Sequence, residues 1–297
     1  MTRVGYVVSR LAGELAALTP GDRIPKVDDL AEKLDCGRGT IQAAFAVLEE
    51  AAALRLKARG RLGTFVEAID HRNLWELSGR RSASLAMPLP YTRRYEGLAT
   101  GLQAAFDDGA MPLTLSFIRG SVARVRALRE GRVDLALVSA LAASTFGDVE
   151  TVHDYGPGSY VAAHAVVVRR GMDPTDATLR VAVDPSSADL VDLVARVFPD
   201  LPAERRIEMS YNHLDRAFTD GAVDATVWNA DEIGSHISTP IDLHPLPDSV
   251  GDANTRGVVL RLAGDTPISV AVLDALRSDR VLGIADDVVA GRAIPTY

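Results

Sequence analysis

The chain has 297 residues, enough for about two or three domains with buried cores. With 47% hydrophobic and 24% charged residues it has the composition of an ordinary soluble globular protein. The single cysteine, Cys36, excludes a disulfide within the chain and a cysteine-based zinc cluster.

Arg3, Arg10 and Glu14 interrupt the apolar residues of the N-terminus, unlike a secretory signal, and no apolar run approaches a membrane span. A cytoplasmic protein is expected. Residues 4–18, VGYVVSRLAGELAAL, carry a helical apolar face and stop at Thr19-Pro20-Gly21. KVDDLAEKLDC then places Val27, Leu30, Ala31 and Leu34 at i, i+3, i+4 and i+7, and GRGTIQAAFAVLEE repeats that spacing with Ile41, Ala44, Phe45 and Leu48. Cys36 falls at an apolar turn position between these helices and is expected to be buried. Two short helices with narrow apolar stripes bury them against each other, and the N-terminal helix completes a three-helix core. LRLKARGRLGTFV follows, with Arg55, Lys57, Arg59 and Arg61 alternating along a hairpin whose turn carries Gly60 and Gly63. This order over Lys26–Val66 is that of a winged helix-turn-helix.

Arg38, Thr40 and Gln42 fall near the exposed start of the second helix, where recognition helices reach base edges. The basic wing, with Arg59 and Arg61, suits phosphate contacts, and Lys26 and Thr64 complete the candidate DNA-binding set. The net charge of -8 divides unevenly: residues 1–68 hold 10 Lys/Arg against 9 Asp/Glu, and the remainder 22 against 31. The DNA-facing part is thus barely basic, and an acidic remainder would confine contact to the intended face. Operator DNA is the expected partner, and a homodimer is expected because helix-turn-helix proteins commonly read two half-sites.

Residues 69–84 are polar apart from Leu74, Trp75 and Leu77, and read as a linker with a short helical piece. From Leu85 the pattern alternates strands and helices, predicting an α/β layer with a largely parallel sheet. PLTLSFIRG is a strand, SVARVRALREG a helix with Val122, Val125 and Leu128 inward, and VDLALVSA an apolar strand. After a central stretch from Val152 to Val168 the scheme begins again, with LRVAVDPSSADLVDLVARVF, RIEMSYNHLDRAFTDG and VDATVWNA. Gly131-Arg-Val-Asp-Leu-Ala-Leu-Val-Ser139 stands against Gly221-Ala-Val-Asp-Ala-Thr-Val-Trp-Asn229, about 90 residues later and in the same three-part order. Domains are therefore expected at 1–68 and 85–297, the second two-lobed with its later lobe at roughly 175–240, and TRGVVLRLAGD near the C-terminus supplies a further strand.

Two lobes imply a cleft, and residues after strand ends and at helix starts are its natural contacts. One lobe offers Tyr91, Thr92, Arg93, Arg119, Gly120, Ser121 and Ser139. The other offers Ser186, Ser187, Tyr211, Asn212 and Asn229. Helix starts near Ser121 and Ser187 favour an anion, and Arg93 or Arg119 could clamp a carboxylate or phosphate, so a small anionic effector is expected. Each Ser could equally be a helix cap, and Tyr160 and His164 either reach the cleft or are ordinary strand residues. No histidine spacing suits a metal, and there is no GxSxG elbow and no GxxxxGK[ST] loop. Neither catalytic residues nor a cofactor nor a metal is expected; the alternative is an enzyme of the same fold acting on a small metabolite.

GDRIPKVDDLAEKL, CGRGTIQAAFAVLEE and ARGRLGTFV resemble the GntR-type winged helices in order and spacing. Gly37 departs from the Ser that those regulators usually carry, leaving the second helix without a side-chain cap. Beyond the winged helix, MPLPYTRRYEGLATGL, FIRGS, GRVDLALVS and GSYVAAH resemble the YhfZ-like regulators. That resemblance implies a type 2 periplasmic-binding-protein fold for the large domain and a ligand-responsive transcription regulator.

Overall fold

The computed structural model describes residues 2–80, 82–109, 111–247, 250–264 and 268–297, and of Ser235 the backbone only. The chain divides into two units, Met1–Ala83 with Leu102–Thr114 and Gly264–Ser278, and Ser84–Gly101 with Leu115–Ala263 and Asp279–Tyr297.

In the first unit, Thr2 accepts a hydrogen bond from the Gly5 amide at 3.1 Å and starts α1 (Arg3–Leu15). The helix ends before the expected Leu18, because the Ala16 and Leu18 amides turn back to the carbonyls of Gly13 and Leu15. α2 (Val27–Lys33) and α3 (Arg38–Glu50) follow. Ile41, Ala44, Phe45 and Leu48 are buried with Leu30 and Leu34, while Val27 and Ala31 only flank this core. Cys36, expected to be buried, is half-buried at the turn, where its backbone N–H donates a hydrogen bond to Ala31 O at 3.0 Å. The wing is an antiparallel pair, β1 (Leu54–Ala58) and β2 (Thr64–Ile69). Within 69–84, Asp70 caps α4 (His71–Leu77), and Leu74 joins the core of α1 and α3. Arg81 lies outside the described residues.

From Ala83 the chain alternates as its pattern predicts. β3 (Ala83–Met87), α5 (Arg93–Asp108), β4 (Leu113–Phe117), α6 (Ser121–Arg129), β5 (Leu135–Ser139) and α7 (Ala140–Ala143) form the first run. β6 (Val149–Asp154) leads to β7 (His164–Arg169). The second run is β8 (Val181–Val183), α8 (Ala188–Val197), β9 (Arg206–Glu208), α9 (Leu214–Thr219), β10 (Ala225–Asn229), α10 (Ala230–His236) and β11 (Ile241–Pro245). β12 (Gly257–Leu262) returns to the first sheet, α11 (Val270–Leu276) belongs to the first unit and α12 (Arg280–Val289) to the second.

Both sheets have five strands, ordered β4-β3-β5-β12-β6 and β9-β8-β10-β7-β11. Each contains a parallel core and one strand, β12 or β7, that runs antiparallel to both neighbours. The second lobe is therefore wider than the expected 175–240, because β7 precedes the repeat and β11 extends to Pro245. The repeated Val-Asp pair has one physical job in both sheets. Asp134 Oδ2 accepts the Ser84 amide at 3.0 Å, and Asp224 Oδ2 accepts the Arg180 amide at 3.0 Å. The Asp134 and Asp224 amides in turn donate to the carbonyls of Ser84 and Arg180. Each aspartate thereby pins the entry of one parallel strand to that of its neighbour.

One helix face departs from its pattern. Val125 and Leu128 of α6 are buried as predicted, but Val122 is 38% exposed and Arg124 is 3% exposed in its place. The buried guanidinium finds three acceptors: Leu137 O, Ile118 O and the Tyr160 hydroxyl, at 2.8, 2.9 and 2.8 Å.

Candidate ligand cleft and nucleic-acid interface

In the first unit, Lys26, Arg38, Gln42, Arg59 and Arg61 are exposed, while Thr40 and Thr64 are half-buried. α3 begins at Gly37 with no side-chain cap, as its sequence implies. Arg38 Nε lies 3.0 Å from Asp28 Oδ1, both side chains largely exposed, so this contact exchanges readily with solvent. On the wing, Glu67 pairs with Arg55 at 2.8 Å and with Lys57 at 3.5 Å. The positive charge is thereby concentrated toward the tip, where Arg59 stands 4.7 Å from the Phe65 ring centroid and Arg61 enters the turn.

In the second unit a cavity of about 100 Å³ lies between the strand ends of the two sheets. Of the residues predicted there, Tyr91, Arg119, Gly120, Tyr160, Ser187, Asn212 and Asn229 line it, as do Tyr211 and His164. Thr92, Arg93, Ser121, Ser139 and Ser186 do not. Thr92 Oγ1 accepts the Tyr95 amide and caps α5, and Arg93 points outward to Glu96 at 3.5 Å. The three serines hold structure instead. Ser121 Oγ of one lobe accepts the Ala188 amide of the other at 2.9 Å, capping α8 across the cleft. Ser139 caps α7 and donates to Asp189 at 2.9 Å, also across the cleft, and Ser186 Oγ donates to Asp184.

Arg119 completes this latch, donating to Asp184 Oδ2 and Ser210 Oγ, each at 2.7 Å. Gly120 beside it has φ +79, and a Cβ there would come within 3.0 Å of the Ser186 carbonyl oxygen and side chain. Only glycine lets the lobes meet this closely. Sequence reasoning missed Tyr95, Arg124, Trp228 and Glu232, and took the pair Asp184 and Asp189 for acids of a loop and a first helical turn; all six line the cavity. Asp184 was reachable: it follows β8 as Pro88 follows β3, and strand ends are where such sheets bind ligands.

The sequence profile of the YhfZ C-terminal domain matches residues 70–297. The chain belongs to the YhfZ family. A helix-turn-helix domain profile matches residues 19–66 of this YhfZ-family chain. It is 32% identical over 297 residues to the uncharacterized protein YhfZ of Escherichia coli (strain K12), covering 99% of this chain and 97% of that one. Among solved structures, YhfZ from Shigella flexneri aligns with a TM-score of 0.59 and 32% identity, covering 73% of this chain and 94% of that one. The periplasmic domain of B. pertussis BvgS aligns with a TM-score of 0.55 at 16% identity, over 77% of this chain and 46% of that one, a likeness of fold alone. This chain is thus a helix-turn-helix domain followed by a two-lobed domain of periplasmic-binding-protein-like fold. Among the described residues no group of His, Cys, Asp and Glu is arranged to hold a metal ion, and no helix is long and apolar enough to cross a membrane.

Burial sets the electrostatics of the cavity. It holds His164 below the ordinary imidazole range, against the nearby carboxylates of Asp189 and Asp231. It pushes the Tyr160 phenol up to about 12 although Arg124 opposes the shift. Burial also pushes Glu232 up, against the bond from Asn229. Asp184 goes the other way: burial raises it, but Ser186, the Tyr211 amide and Arg119 outweigh burial and hold it below 3.8. A carboxylate depressed in the folded state stabilises it above the unfolded pKa, and that contribution is lost as pH falls through the folded value. Asp184→Asn should therefore be less stable than the parent at neutral pH, with the gap closing below about pH 4. Unfolding midpoints measured across that range check this; a gap independent of pH would detach the carboxylate charge from the latch.

Proposed function

We propose that this protein is a cytoplasmic, ligand-responsive transcription regulator that binds operator DNA as a homodimer through a GntR-type winged helix. The observation that carries this reading is one chain holding two parts: a helix-turn-helix domain with an exposed α3 start and arginine-tipped wing, and a two-lobed domain enclosing a polar cavity. The cavity is the effector site, and no turnover is required of it. A ligand that binds the latched lobes better than parted ones shifts their equilibrium, and that difference in affinity is the whole of the signal. An anionic group on the ligand would be received by Arg119, since Arg93 lies outside the cavity, and would share that guanidinium with Asp184 and Ser210.

DNA binding by the full chain as a function of salt tests the reading. Phosphate neutralisation releases counterions, so each lost contact lowers the slope of log K against log salt by about 0.9. Replacing Arg59 and Arg61 together with Ala should lower the slope by up to about 2. An unchanged slope would remove the wing from the interface, and no salt-dependent DNA binding by the parent would end the proposal.

A further inference from the structure

We infer that the ligand of this cleft carries a positively charged nitrogen, an ammonium or substituted ammonium, seated against Asp189 among the aromatic side chains of the cavity. The inference rests on the cleft being the effector site proposed above. Both guanidiniums that line the cavity are engaged inside the protein: Arg119 by Asp184 and Ser210, and Arg124 by two carbonyls and the Tyr160 hydroxyl. Asp189 differs. It is 7% exposed and accepts from the Ser139 hydroxyl and the Leu190 amide, both neutral, and among the described residues it forms no ion pair. His164 is a poor source of the missing charge, because burial disfavours its cation and its Nδ1 already meets Asn254 Nδ2 at 3.0 Å.

A buried carboxylate with only neutral donors is incompletely compensated, and a ligand cation is the partner that completes it. The remaining wall suits the same group. Tyr91, Tyr95, Tyr160, Tyr211 and Trp228 line the cavity. Their contacts are steep: Tyr95 meets Tyr160 at 61° and Tyr211 meets Trp228 at 78°, with centroids 5.1 and 5.7 Å apart. Rings set as angled walls present electron-rich surface to a cation without requiring a hydrogen-bond pattern. The volume of about 100 Å³ limits what enters. An apolar cavity of about 150 Å³ takes a benzene ring, so this one receives a small compound or one small head group.

The test uses the full chain and small metabolites of four charge classes built on one skeleton: propionate, propionamide, alanine and propylamine, extended to longer and N-methylated members of each class. A ligand that binds only the folded chain raises its melting midpoint. Compounds with a cationic nitrogen should be the stabilisers. Calorimetry with the strongest of them should show binding weakened on the order of 10- to 100-fold in Asp189→Asn, the loss of a charged hydrogen bond. Glu232→Gln, which alters another carboxylate of the cavity lining, should weaken the same compound and decides the matter if Asp189→Asn does not fold. Stabilisation confined to anions or neutral compounds would overturn the inference while leaving the effector site intact. Unchanged binding of the strongest stabiliser in whichever of these variants fold would do the same. If no compound of any class stabilises the chain, the effector-site reading falls and this inference falls with it.

Discussion

Replacing Arg124 with methionine should lower the unfolding free energy of the second unit by about 3–5 kcal/mol. Methionine fits the buried stem, so the loss is in hydrogen bonding. Three acceptors, Leu137 O, Ile118 O and the Tyr160 hydroxyl, would be stranded in a region where Leu137 and Tyr160 are 0% and 4% exposed. Each stranded acceptor costs about 1–3 kcal/mol. Against this stands the relief of no longer burying a guanidinium that, among the described residues, bonds two carbonyls and a hydroxyl and no carboxylate. That relief offsets part of the cost, but the three acceptors lie on three different segments, the β5 strand, the loop after β4 and the chain near Tyr160. No single local shift re-solvates them all. Denaturant unfolding should show a lower midpoint at unchanged slope. A midpoint equal to the parent's would mean that the guanidinium contributes nothing net to the fold.

Arg124 also marks where sequence reasoning stopped. A helix pattern scores Arg as surface and Val as core, so it turned α6 by one position and put Val122 inward. What decides the actual face is a set of acceptors contributed by β5, the β4 loop and Tyr160, which no local window contains. The same limit applies to Asp184, Asp189 and Glu232, each an ordinary acid in a loop or first helical turn until the opposite lobe is brought up. The wing shows it in miniature: the alternation of Arg55, Lys57, Arg59 and Arg61 was legible, but the pairing of Arg55 and Lys57 with Glu67 depends on the strand pairing.

The features that were legible are those fixed by short-range physics. The apolar stripes of α2 and α3 are set by helical periodicity. The repeat could be read from Gly131 and Gly221 because each Val-Asp that follows must both enter a buried strand and hold the next strand's amide. Ser121 and Ser187 were placed correctly at helix starts, and a capping role for each cleft serine was foreseen as one alternative. That Ser121 caps a helix of the opposite lobe was not, because the contact joins positions 67 residues apart.

A pair of glycine substitutions separates close packing from helix propensity on two neighbouring helices. A Cβ at Gly101 of α5 would come within 3.0 Å of the Val281 carbonyl oxygen, carbonyl carbon and Cα on α12. Gly97, one turn earlier, faces Ala285 in the same way. These are backbone atoms, so relief requires moving one helix off the other. Gly101→Ala should cost about 1–3 kcal/mol despite the better helix propensity of alanine. Gly283 lies inside α12 with nothing within 4 Å of its Cβ position. There the propensity term acts alone, and Gly283→Ala should stabilise by about 0.5–1 kcal/mol. Opposite shifts in the denaturation midpoint are the expected outcome. If Gly101→Ala instead matched Gly283→Ala, the α5–α12 seam would be looser than the glycines imply.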